Sequence, residues 1–391
     1  MIASTIIAPA QRLGQVEEYY FSRKLREIAE MRAAGYHVLN LGIGSPDLPP
    51  HPSVVSRLQE AGAHAGNHGY QSYQGLPELR AAFAQWYEQH FSVHLDAANE
   101  VLPLIGSKEG IMHISMAFLN PGDEVLVPNP GYPTYRSATE LAGGVVRPYE
   151  LSATGGWFPD LEALAGEGLD RVKIMWVNYP HMPTGTAAQA GHFEALVAFA
   201  KAHDILLVND NPYAFILNEE PASLLSVPGA KEVALELNSL SKAHNMAGWR
   251  VGVLVGAEEY LQIVLRFKSN MDSGMFKPVQ LAAIAALELP NSWYTSQNEI
   301  YGQRKAKAVA LLEMLGCEIA GEQVGMFVWA RIPRHQTDAY GLTDAILAEK
   351  HIFLTPGGIF GSAGEQYVRI SLCSPAEVLE EAIERLRNFK A

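Results

Sequence analysis

Residues 101–119 read Val-Leu-Pro-Leu-Ile, then Gly-Ser-Lys-Glu-Gly, then Ile-Met-His-Ile-Ser-Met-Ala-Phe-Leu. A short apolar run, a tight turn and a helical stretch make a strand feeding a helix, which is half of a βαβ unit. Working outward, strand-like runs recur at 125–127, 172–177, 205–208, 233–237 and 251–255, several of them separated by helix-like segments such as 192–202. Their apolar continuity predicts strands buried on both faces of a mostly parallel sheet, an α/β fold.

The chain has 391 residues, too many for one ordinary core, so two domains of unequal size are expected. Pro290-Asn291-Ser292 interrupts a helical pattern that resumes at Trp293, and the boundary is placed there. Near the end, Ser374-Pro375-Ala376-Glu377 reads as a capping box opening a helix whose apolar face is Val378, Leu379, Ala382, Ile383 and Leu386, part of a smaller α+β unit. Charged residues make up 18% and hydrophobic ones 48%, the composition of a compact soluble protein. A net charge of −13 disfavours nucleic acid or an anionic membrane as partner. Two cysteines, Cys317 and Cys373, lie far apart, so no disulfide framework or zinc ribbon is signalled and a reduced, cytoplasmic setting is expected. No signal peptide or membrane anchor is read.

Four pieces with chemical potential fall at strand ends or in the loops after them, where open α/β sheets bind ligands. Gly106-Ser107-Lys108 opens a helix whose N–H groups and dipole suit a phosphate. Asp210 follows the 205–208 run, three residues before Tyr213, and offers a carboxylate. Tyr132, between Gly131 and Pro133, offers an aromatic face. The last piece runs Ser239-Leu-Ser241-Lys242-Ala-His-Asn-Met-Ala-Gly-Trp-Arg250-Val-Gly252. A lysine among small residues suits a Schiff base, while Ser239, Ser241 and Arg250 suit a phosphate beside it. Pyridoxal 5'-phosphate is the cofactor that needs both, with a carboxylate on its ring nitrogen so that the ring can draw off electrons. Taken singly, Gly106-Ser107-Lys108 is equally an ordinary helix start, Asp210 a turn residue and Tyr132 a core aromatic.

With these motifs in this order, the chain resembles the class I/II aminotransferases of the fold-type I pyridoxal-phosphate superfamily over nearly its whole length. The resemblance implies a seven-stranded, mostly parallel sheet in a large cofactor domain (45–288), with an N-terminal arm (1–44) and a small C-terminal domain (289–391). It implies that Lys242 forms the Schiff base and shuttles the substrate proton, Asp210 pairs with the ring nitrogen, Tyr213 bonds the ring hydroxyl and Tyr132 stacks on the ring. Gly106, Ser107, Lys108, Ser239, Ser241 and Arg250 would surround the phosphate. Tyr70 would reach the phosphate of a neighbouring subunit, giving a homodimer with shared sites. Arg369 would grip the substrate carboxylate, Gly44 would lie in the segment closing over it, and Tyr20 and Lys277 would line the distal region. Residues 106–110, 226–233 and 268–276 look most like the LL-diaminopimelate aminotransferase and alanine aminotransferase group.

One position departs from the family pattern. In Asn178-Tyr-Pro-His181-Met182-Pro-Thr-Gly185, Met182 stands where the family carries an asparagine that donates to the ring hydroxyl. A thioether cannot make that bond, so Tyr213, alone or with His181, is expected to hold the ring oxygen. The implied reaction is ping-pong transfer of an amino group from an amino acid to a 2-oxo acid. A β-lyase on the same fold and a non-catalytic ligand sensor are the competing readings. The pairs His64/His68 and His90/His94 have zinc-like spacing but lack the glutamate of His-Glu-x-x-His, so no metal is expected.

Overall fold

The computed structural model describes residues 7–15, 18, 20–387 and 389. Its strands are β1 (Leu39–Asn40), β2 (Val101–Leu104), β3 (Glu124–Asn129), β4 (Val145–Glu150), β5 (Val172–Val177), β6 (Leu206–Asp210), β7 (Ala234–Ser239), β8 (Gly252–Gly256), β9 (Phe327–Arg331), β10 (Ile352–Phe353), β11 (Thr355–Pro356) and β12 (Tyr367–Ser371). Seven of them form one sheet in the order β2-β8-β7-β6-β5-β3-β4. Pairing is parallel from β7 through β4, while β8 runs antiparallel to both of its neighbours.

The unbroken apolar runs are explained by burial on two faces. Ile174 and Trp176 of β5 join one core cluster with Val125, Val127, Val208 and Leu237; Met175 and Val177 face the other with Leu126, Leu207 and Val253. Helices Ser107–Phe118 and Glu258–Lys268 contribute Ile111, Ile114, Leu261 and Val264 to the first cluster. Since side chains alternate along a strand, both sets must be apolar when both faces are covered. Within this sheet, edge strand β4 is the one the sequence reading does not anticipate. Val145 and Glu150 are exposed there and Arg147 is half-buried, so its sequence lacks the apolar signature of its neighbours.

Segments on either side of the large sheet in sequence form smaller sheets. β1 pairs in parallel with β10, with Leu39 opposite Ile352, and β11, β12 and β9 form an antiparallel trio. The long helix Asn291–Met314 supplies Arg304, whose guanidinium holds Asp47 in a bidentate pair at 2.7 and 2.8 Å and also donates to the Leu372 carbonyl. Segment 40–49 is thereby fixed to both helix and strand.

One local expectation is corrected. The C-terminal helix is Ala376–Leu386, with Pro375 at its N-cap and no side-chain cap. Ser374 lies one residue too early to cap it, and its hydroxyl donates to the Asn40 carbonyl instead. The histidine pairs do not share helix faces: His64 ends the Pro52–Ala63 helix, and its ring accepts from Gly66 N–H, while His94 lies beyond the end of helix Pro77–Phe91 and faces Glu88. Among the described residues, no helix is long and apolar enough to cross a membrane.

Candidate active site

The carboxyl ends of β3, β5, β6 and β7 open onto a cleft of roughly 450 Å³, within the range of small-molecule sites. Gly44, Ser107, Lys108, Tyr132, Asp210, Tyr213, Ser239, Ser241, Lys242, Arg250 and Arg369 all line it. Residues spread over more than 300 positions of sequence thus converge on one space.

Asp210 is the last residue of β6 and is 5% exposed. The Tyr135 hydroxyl donates to its Oδ2 at 3.0 Å, while Oδ1 is buried and has no hydrogen-bond partner among the described residues. Burial pushes the carboxyl up to about 7 despite that hydrogen bond and the Lys242 charge. A buried acceptor left open in a cleft wall costs free energy unless a ligand donor meets it.

Lys242 follows β7 in a turn of small side chains, and its Nζ donates to the Gly44 carbonyl at 2.7 Å. Burial holds its ammonium below the usual lysine range, with Arg369 and Arg250 adding repulsion. A lysine so placed more readily yields the neutral amine needed for nucleophilic attack or proton transfer.

The anion end is built on backbone geometry. Gly106 has φ 89° and precedes helix Ser107–Phe118; a Cβ at that position would run into the Arg250 guanidinium. Only glycine therefore lets the helix N-terminus and the arginine share one cradle. Ser239 Oγ donates to Ser241 Oγ at 2.8 Å, and Arg250 is braced by the Ala247 carbonyl at 2.9 Å.

At the opposite end, the Arg369 guanidinium lies between the rings of Phe327 and Phe360, 3.9 and 4.6 Å from their centroids. Its Nη2 donates to the Gly42 carbonyl at 2.9 Å and its Nη1 to Met182 Sδ at 3.3 Å. Asn178 ties this end to the centre: its amide donates to the Asp210 carbonyl and its oxygen accepts from Met182 N–H at 2.8 Å. His181 is bonded to Thr184 Oγ1 at 2.8 Å and is absent from the cleft lining, so only Tyr213 of that pair faces the space.

Three expected residues stand apart. Tyr20 lines an adjoining cavity with Arg23, Arg136 and Tyr340. Tyr70 is 91% exposed and lies outside the cleft of its own chain; Lys268 Nζ, on the Tyr73 carbonyl at 3.0 Å and on Asp272, anchors the segment carrying it. Lys277 opens helix Lys277–Leu287 and does not line the cleft. Sequence reasoning misses Tyr135, Phe327 and Phe360. Tyr135 had a signal, since Pro133 starts a helix and places residue 135 within its first turn.

The sequence family described as "Aminotransferase class I and II" matches residues 36–386. The chain belongs to this family of aminotransferases. It is 40% identical over 384 residues to an LL-diaminopimelate aminotransferase of Dehalococcoides mccartyi, covering 98% of this chain and 99% of that one. It is 42% identical over 381 residues to the enzyme of the same name from Desulforudis audaxviator, covering 97% of each. Among solved structures, substrate-bound BacF from Bacillus subtilis superimposes with TM-score 0.93 at 37% identity, covering 98% of both chains. These relatives place the aminotransferase reading ahead of the lyase and sensor readings.

Proposed function

We propose that this aminotransferase uses pyridoxal 5'-phosphate to move an amino group from LL-diaminopimelate to 2-oxoglutarate. The carrying observation for the cofactor is the buried Oδ1 of Asp210, unpaired among the described residues, in a side chain that lines the cleft with Lys242 and a helix N-terminus. The names of the relatives support LL-diaminopimelate as the donor.

The residues fit the cofactor at each end. Ser107, Ser239, Ser241 and Arg250 would hold its phosphate, Asp210 Oδ1 would accept from its ring nitrogen, Tyr213 would donate to its ring oxygen and Tyr132 would cover its face. When bound, pyridoxal phosphate carries the amino group between the two substrates and takes up the electron pair released at the substrate Cα. Lys242 Nζ removes and returns the proton at that carbon, as its depressed basicity allows. Asp210, ionised against a protonated ring nitrogen, keeps that proton in place. Arg369 orients each substrate by its carboxylate, with a planar fork suited to two oxygens. Tyr70 serves the phosphate of a second copy in a cytoplasmic homodimer, and residues 1–44 and 289–391 frame the cofactor domain 45–288.

The test is the absorbance spectrum of the purified protein loaded with pyridoxal phosphate, with LL-diaminopimelate, glutamate and alanine added singly. Loss of the yellow band with LL-diaminopimelate and its return with 2-oxoglutarate supports the proposal. A band that responds to alanine or glutamate but not to LL-diaminopimelate refutes the donor, and absence of any band refutes the cofactor.

A further inference from the structure

Met182 is 5% exposed and touches the Arg369 guanidinium, whose Cζ lies 3.9 Å from the Phe327 ring centroid and 4.6 Å from that of Phe360. Rings on both sides of the Arg369 guanidinium fix its plane, through cation–π attraction and simple exclusion. In-plane rotation is limited by what meets the edge: the Gly42 carbonyl at Nη2 and the Met182 sulfur at Nη1. The sulfur is itself held, because Met182 N–H bonds Asn178, and the same loop accepts Val324 N–H at Gly185, three residues before Phe327. Sulfur stop, aromatic wall and arginine thus come from segments tied to one another.

A thioether is a weak acceptor. It can stop the guanidinium without competing with a carboxylate for the same donor, whereas an amide or carboxylate oxygen there would bind the donor more strongly. We infer that Met182 is a positioning residue for the carboxylate clamp, its sulfur setting the in-plane angle of Arg369 while leaving the cation's charge for the substrate. The inference rests on the reading of Arg369 as that clamp.

The test compares Met182→Leu, which keeps the volume and removes the sulfur, with Arg369→Lys in the cofactor-loaded enzyme. The readouts are KM for amino acid and oxo acid, kcat, and the inhibition constant of succinate, a carboxylate that cannot react. Loss of the stop should raise both KM values and the succinate constant by about three- to tenfold, with kcat within about twofold. Met182→Ile, a second sulfur-free side chain, must behave alike, which guards against a folding defect in one variant. If both variants keep wild-type constants while Arg369→Lys raises them, the clamp stands and the role of Met182 falls. If Arg369→Lys also leaves them unchanged, the clamp reading fails and carries this inference down with it.

Discussion

Replacing Asp210 by asparagine should make the cofactor-free protein gain relative stability as pH rises, although the same change removes activity. The carboxyl goes from an ordinary value of 3.8 to about 7 on folding, because burial penalises its charged form. At ~1.4 kcal/mol per pH unit of displacement, ionising it inside the fold costs about 4 kcal/mol more than in the unfolded chain. Between pH 4 and 7 the folded state binds more protons than the unfolded one. Stability therefore falls across that window and the loss is complete by about pH 8. Asparagine does not titrate, so the variant escapes this loss, and its stability relative to wild type should improve by roughly 2–4 kcal/mol from pH 4 to pH 8. Any cost of an unpaired amide is the same at every pH and leaves the slope alone. The assay is urea unfolding of the cofactor-free proteins, followed by tryptophan fluorescence at several pH values. Saturating pyridoxal phosphate should abolish the advantage, since the ring nitrogen then gives the carboxylate a partner. A stability difference that does not change with pH would show that Asp210 is not the buried acid described.

Gly106→Ala should weaken pyridoxal phosphate binding by about tenfold or more, because its Cβ meets the Arg250 guanidinium and its φ is positive; a cofactor titration measures this. Tyr135→Phe removes the hydroxyl that lowers the Asp210 pKa, so the acid limb of kcat/KM should move to higher pH. A pH–rate profile unchanged in shape would contradict that coupling. Lys242→Ala should cost at least ~10³-fold in turnover while the protein still folds, measured by formation of glutamate from 2-oxoglutarate.

Central strands and the Lys242 turn were legible because their physics is local. A strand covered on both faces must be apolar throughout, and a Schiff-base lysine beside a phosphate needs small, hydroxylated neighbours. Strand β4 was not legible, since an edge strand tolerates Arg147 and Glu150 and so resembles a loop. The Ser374 cap failed for a different reason: the motif is local, but the Asn40 carbonyl, 334 residues away, takes the hydroxyl. Phe327 and Phe360 were hidden similarly, because nothing in the sequence around either ring indicates that a guanidinium from β12 will lie between them. The cradle at Gly106 was readable as a helix start, but its reason for being glycine lies in Arg250, far along the chain.

The parallel pairing of β1 with β10 bears on the order in which a newly made chain can become active. All seven strands of the large sheet lie between residues 101 and 256, so that layer has its partners before residues 304–371 are made. Leu39 waits for Ile352, Leu41 bridges Phe353 and Ser371, and Asp47 waits for Arg304. The strap whose carbonyls meet Lys242 and Arg369 is thus among the first segments made and among the last to be seated. A nascent chain stalled before residue 352 would hold a formed sheet and a cleft with one wall missing, because the pairing that seats the strap would not yet exist.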